Sequence, residues 1–394
     1  MKNSNPVFIC SPKRTAIGSL QGGLSALAAP EICSQVIKNI LLETKLEPEK
    51  LDEIILGCVL TAGLGQAPAR QAALKAGLKN TIQAMTINKV CSSGLKAVML
   101  AAQSVQLGIS EAVIAGGMEC MSQAPYLLPN MRTGARLGNV QALDSMIKDG
   151  LWDVYNDYHM GNCAELCAKE LKISREAQDE FAIASYKKAQ AAIAAGIFVD
   201  EIATVIVKDG KNESEFKVDE EPAKSKLEKI PSLKPVFIKE GTVTAANASS
   251  INDGAAAMII CSEKFYKENN LTPIARIVEQ SFHAQAPEWF TTAPVAAVTS
   301  LLVKANKKVE DIDLFEINEA FAVVAIACRD QLRVPQEKLN ITGGAVALGH
   351  PIGASGARIL TTLLYSLKRL NKKTGICAIC NGGGEATALM VERM

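Results

Sequence analysis

The stretch INKVCSSGLKAVMLAAQS, residues 87–104, carries the decisive pattern. An extended-looking segment, MTINKV, runs into Cys91, two serines and Gly94. A helical pattern follows, with apolar positions at Leu95, Val98, Met99, Ala102 and Val105. A cysteine at such a strand-to-helix junction lies near the unpaired N–H groups of the helix start. There the helix dipole favours a thiolate. A buried structural cysteine is the plainer reading of that residue alone.

The same stretch has a counterpart further along. SSGLKAVMLAAQSV (92–105) resembles ASGARILTTLLYSL (354–367), each with a Ser-Gly pair, a basic residue and a helical pattern. LDEIILG (51–57) resembles VEDIDLFEIN (309–318), and EAVIAGGMECM (111–121) resembles ICAICNGGGEAT (376–387). The three pairs keep their order, roughly 260 residues apart, which predicts two halves of similar α/β fold. Between the halves lies residues 122–249, with a helical stretch at 174–196 and the charged run KVDEEPAKSKLEKIPSLKP. It reads as an inserted domain, placed either for substrate contacts or as surface elaboration.

Composition sets outer limits. The 394 residues are 48% hydrophobic and 21% charged with a net charge of +1. Such a balance suits a soluble protein and predicts neither nucleic acid nor an anionic membrane as partner. The N-terminal stretch does not read as a signal peptide, and no apolar run reaches membrane-spanning length. The eleven cysteines are scattered, and Cys10, Cys33, Cys58, Cys261 and Cys328 lie in apolar runs as small core residues. Reduced thiols in the cytoplasm are the expectation. The one CxxC, residues 377–380, sits in a strand-like run where side chains three apart face opposite ways. No second CxxC or nearby His completes a zinc site.

Three further motifs bear on Cys91. His350 is one of only three histidines and sits in the glycine-dense GGAVALGHPIGASGAR, on a turn before the second helix. An imidazole there can take a thiol proton. EINEAFA (316–322) places Asn318 and Glu319 after a strand-like run. ICNGGGEAT ends a strand at Cys380 and exposes the N–H groups of consecutive glycines, a pattern for binding an oxyanion.

Together with YHMGNCAE (158–165) and GTVTAANASSINDGAAA (241–257), these motifs resemble the thiolase family along essentially the whole chain. The resemblance implies a five-layered αβαβα sandwich of duplicated α/β halves with an inserted loop domain. It divides the chain into residues 1–121 with 250–272, the insert 122–249, and residues 273–394. It implies a homotetramer or dimer. The implied activity is that of an acetyl-CoA C-acetyltransferase, which condenses two acetyl-CoA into acetoacetyl-CoA and CoA. Broad-range thiolysis of 3-ketoacyl-CoA in fatty-acid breakdown is the alternative, and a non-catalytic acyl carrier a further one.

Carried over by resemblance, Cys91 is the acyl-accepting nucleophile, His350 its base and Cys380 the acid/base at the substrate methyl group. Asn318 holds a water, and with His350 forms one oxyanion hole; the N–H groups of Cys91 and Gly382 form the other. His159, Met160, Ser249 and Phe321 line the pantetheine pocket. Lys224 and Lys229 lie near the CoA nucleotide, although AKSKLEK on its own reads as a solvated charged face. TVTAANAS and Tyr186 resemble the mitochondrial-type acetoacetyl-CoA thiolases. That subgroup implies potassium near CoA, held by Tyr186 and the carbonyls of Ala245, Ala246, Ala248 and Val346. CoA thioesters are the substrates, and no further cofactor is implied. The chain departs from the subgroup at Thr291, after Phe290, and at Glu385, where a small residue is usual.

Overall fold

A computed structural model describes residues 5–209 and 212–394. Its centre is one large sheet, running Leu314–Ile317, Thr374–Asn381, Glu385–Arg393, Pro273–Ala284, Val7–Arg14, Asn252–Ser262, Ala112–Cys120, Glu53–Gly57 and Gln83–Ile87. The order is two copies of one pattern. Glu53–Gly57 runs parallel to Ala112–Cys120, as Leu314–Ile317 does to Thr374–Asn381. The copies meet at the antiparallel pair Val7–Arg14 and Pro273–Ala284, with Ile9 opposite Ala275. The three sequence pairs fall on matching elements of the two copies. At the outer edge, Leu339 bridges to Phe315 where the first copy has the full strand Gln83–Ile87.

Alternation along the strands builds three cores between five layers. Ile54, Leu56 and Ile114 face the outer helices Ala29–Thr44 and Pro68–Lys75. Ile55, Val113 and Ala115 turn inward to the helices Ser93–Gln106 and Ser355–Arg369, as do Cys377 and Ile379 of the second copy. Ile376, Ala378 and Cys380 face the helices Ala293–Lys304, Ala322–Leu332 and Met160–Glu170. The five apolar positions predicted on the first central helix are all buried, as are the five cysteines assigned to the core. Cys377 and Cys380 lie in different cores, and among the described residues no His/Cys/Asp/Glu cluster suits a metal.

The repeated Ser-Gly pair has a packing cause. A Cβ on Gly94 would sit 3.0 Å from the Ala357 nitrogen and the Gly353 oxygen, and one on Gly356 would sit 2.5 Å from the Leu95 nitrogen. The two central helices therefore cross backbone against backbone at their first turns, which only glycine permits. That crossing brings the segments preceding both helices together. Cys91 precedes one, and His350 the other.

Candidate active site

The segment before the first central helix is tighter than the sequence suggested. The strand ends at Ile87, and Val90 turns into the left-handed region at φ 47°. The turn is stitched locally: Val90 N–H donates to Asn88 Oδ1 at 2.9 Å, and Ser93 Oγ donates to the Val90 carbonyl at 2.6 Å. Helix geometry begins only after Ser92, leaving Cys91 just outside it. Ser92 Oγ reaches across to Asn381 Oδ1 at 2.8 Å and lies 3.3 Å from the Ile379 carbonyl. It thus ties the Cys91 turn to the two residues flanking Cys380.

Cys91, His350 and Gly382 line one pocket of about 610 Å³. Burial pushes the Cys91 thiol up to about 12, while the N–H groups of Gly382 and of Cys91 itself pull the other way and Glu119 adds repulsion. Desolvation thus opposes the thiolate that the helix start alone favours. Cys380 is fully buried at the end of its strand, and its thiol is raised well above the usual value by burial and by the nearby Cys91. The two thiols, 289 positions apart in the sequence, are close enough for the charge of one to raise the other.

The imidazole of His350 has a defined tautomer. Ser355 Oγ lies 2.9 Å from the Pro351 carbonyl and 2.6 Å from His350 Nδ1, an arrangement in which it donates to the carbonyl and accepts from Nδ1. Nδ1 therefore carries the proton, and Nε2 offers a lone pair. Asn318 Nδ2 lies 3.5 Å from that Nε2. Burial, then the charge of Arg358, lowers the His350 pKa to about 3, so the ring is a neutral base. Asn318 Oδ1 is buried without a protein partner, a position suited to a bound water.

One wall of the pocket is aromatic and apolar, with polar residues toward Ser19, Glu221 and Lys224. His159 stacks on Phe237 with centroids 4.8 Å apart, Phe237 meets Phe321 edge-on at 6.2 Å, and Phe321 meets Phe290 at 6.4 Å. Met160 lies on the same wall. Ser249 Oγ donates to the Ala320 carbonyl at 2.8 Å, which leaves its lone pairs to accept from a ligand N–H. Lys224 stands at the rim, exposed, with Nζ 2.5 Å from Ser19 Oγ. Lys229 is exposed on the neighbouring turn and does not line the pocket. Ala245 and Ala248 line it, whereas Tyr186, Ala246 and Val346 pack together in an adjoining apolar cluster.

Several residues escaped the sequence reading. Phe237 hides in a charged segment, where the apolar run VFI was its only signal. Ser355 looked like part of a helix start. Glu119, fully buried, accepts from the N–H groups of Val59, Leu60 and Gly353 at 3.0, 3.1 and 2.9 Å. It anchors the turn that carries His350, and burial raises its pKa to about 7 against those three donors.

A pocket thiol and a neutral imidazole, a second buried thiol close by in the fold and an aromatic wall make a site of the kind that suits acyl transfer. The chain belongs to the thiolase family: the thiolase N-terminal domain matches residues 7–264 and the C-terminal domain residues 271–393. It is 51% identical to an acetyl-CoA acetyltransferase of Cupriavidus necator over 98% of this chain and 99% of that one. It is 47% identical to a cytosolic acetyl-CoA acetyltransferase of Gibberella zeae, over all of both chains. The crystal structure of the Bacillus anthracis acetyl-CoA acetyltransferase superposes with a TM-score of 0.97 at 40% identity, over 99% of each chain.

Proposed function

We propose that the protein is an acetyl-CoA C-acetyltransferase acting through an acetyl-cysteine. The observation that carries this reading is that Cys91 and a neutral His350 line one pocket, while Ser92 ties the Cys91 turn to the residues on either side of a second buried thiol, Cys380.

The proton inventory closes. Nε2 of His350 takes the Cys91 proton, and the thiolate attacks the acetyl carbonyl of acetyl-CoA. The adduct oxygen receives the N–H groups of Cys91 and Gly382. The departing CoA thiolate takes its proton from Cys380 and leaves as CoA. Cys380, now a thiolate in a dry site, is basic enough to remove a methyl proton from the second acetyl-CoA. His350, still protonated, and a water on Asn318 hold the enolate oxygen. The carbanion attacks acetyl-Cys91, acetoacetyl-CoA forms, and the released Cys91 thiolate recovers its proton from His350. Burial and Arg358 disfavour the imidazolium and so assist that return.

The pantetheine arm would run along His159, Met160, Phe321 and Ser249, with Lys224 at its outer end and Lys229 beyond. Potassium is proposed beside Tyr186, with the carbonyls of Ala245, Ala246, Ala248 and Val346. The Tyr186 hydroxyl and backbone carbonyls are the neutral oxygen donors a monovalent cation takes. We place the protein in the cytoplasm, as its eleven free cysteines and the cytosolic relative support. Among the described residues no helix is long and apolar enough to cross a membrane. A homotetramer is proposed through the loop bearing the exposed Tyr126, Leu128 and Leu137.

Relatives named acetyl-CoA acetyltransferases favour this reading over broad-range thiolysis. Steady-state thiolysis of 3-ketoacyl-CoA substrates of increasing length, in potassium and in sodium buffers, tests it. Acetoacetyl-CoA should be the best substrate and potassium should raise the rate. Preference for long chains would support the β-oxidation alternative instead.

A further inference from the structure

Glu385 is the residue for which the sequence offered no reason. In the structure it follows the Gly382–Gly384 turn, and its Oε2 lies 2.5 Å from Lys89 Nζ. The same oxygen accepts from Asn381 Nδ2 at 3.3 Å, and Asn381 Oδ1 accepts from Ser92 Oγ at 2.8 Å. Lys89 and Ser92 bracket Cys91; Asn381 and Glu385 bracket the glycine turn. The four side chains thus form a line of polar contacts joining the Cys91 turn to the glycine turn, closed by the backbone bond from Ser92 N–H to the Lys89 carbonyl at 3.1 Å.

Both turns need an external hold. Val90 is β-branched at φ 47°, a strained conformation that persists only where neighbours fix it. Gly383 and Gly384 sit at φ 89° and 82°, and a Cβ on Gly383 would meet nothing within 4 Å. Packing therefore leaves Gly383 free, while Gly384 lies close against the Gln285 and Ala286 carbonyls and accepts from Gln285 N–H at 2.9 Å, and Asn381 Nδ2 donates to the Gly382 carbonyl at 2.9 Å. The ion pair is half-sheltered, with side chains 22% and 36% exposed, where its attraction is less screened than on an open surface.

We propose that Lys89 and Glu385 are positioning residues whose ion pair holds the Gly382 N–H against the Cys91 sulfur. The inference rests on the acyl-transfer reading above and deepens it. Gly382 and Cys91 line the pocket, whereas Lys89 and Glu385 do not. Their effect therefore falls on formation and breakdown of the tetrahedral adduct and leaves CoA binding alone.

The experiment compares the full-length protein with Glu385→Gln, Glu385→Ala, Lys89→Ala, the double alanine variant and the exchange Lys89→Glu/Glu385→Lys. Rates of Cys91 acetylation, kcat and KM for acetyl-CoA, and melting temperature are read for each. The isosteric Glu385→Gln should keep its melting temperature yet acylate several-fold more slowly. Each alanine variant should lose about ten-fold in acylation and kcat with KM held. The double alanine variant should be no worse than either single one, and the exchange should stay slow, because its new lysine cannot accept from Asn381 Nδ2 and faces Lys96. Unchanged kcat in the single variants, additive losses, or a rise in KM at constant kcat would overturn the proposal. Wild-type protein that never acetylates Cys91 would instead bring down the functional reading itself.

Discussion

Ser355 Oγ lies 2.6 Å from His350 Nδ1 and 2.9 Å from the Pro351 carbonyl, so a hydroxyl proton given to that carbonyl leaves the oxygen to accept from Nδ1. One hydroxyl thereby decides which imidazole nitrogen is free to act as a base. Replacing Ser355 by Ala removes the constraint, and the ring can present a protonated Nε2 to the thiol. The expected loss is about 10- to 100-fold in the rate of Cys91 acetylation, with KM for acetyl-CoA little changed. Rapid-quench measurement of the acetyl-enzyme checks it.

The low pKa of His350 makes a signed prediction about stability. Its folded value is about 3 against 6.5 for the free group, so between those values the unfolded chain holds a proton that the folded chain does not. Stability from this group therefore rises with pH across that window. It is fully present above 6.5 and is lost as the solution is acidified toward 3. The denaturation midpoint of the wild type should fall between pH 7 and pH 5 more steeply than that of His350→Gln. Equal slopes would assign the acid sensitivity to other groups.

The helix crossing yields a stability prediction free of chemistry. An alanine at Gly356 would place its Cβ 2.5 Å from the Leu95 nitrogen, a contact with backbone that no rotamer relieves. Gly356→Ala should cost about 1–3 kcal/mol by overpacking. Calorimetric melting should show the loss, and Gly383→Ala, where a Cβ would meet nothing within 4 Å, should show a smaller one caused by its positive φ alone.

How much of this was legible in the sequence follows from the range of each interaction. The duplicated halves could be read because each Ser-Gly pair marks a backbone crossing that is needed twice. The catalytic candidates could be read because Cys91, Asn318, His350 and Cys380 each sit in a local motif of glycines or a strand end. The extended reading of MTINKV failed at Val90, a residue whose intrinsic preference opposes the turn it makes. That turn is enforced by Asn88, Ser93 and a lysine whose partner is 296 residues away. The desolvation of Cys91 was not legible for a related reason, since helix-start geometry is local but burial depends on the whole pocket. Phe237 and Glu119 gain their roles only through tertiary contact, and no local pattern distinguishes them.

Mass spectrometry of the protein after brief exposure to acetyl-CoA tests the central claim most directly. Peptide mapping should place a single acetyl group on Cys91, and none should form in Cys91→Ala. Cys380→Ala, lacking the proton for the departing CoA, should acetylate Cys91 more slowly and release no acetoacetyl-CoA. An acetyl group on Cys380 or another of the eleven cysteines, or undiminished labelling in Cys91→Ala, would contradict it.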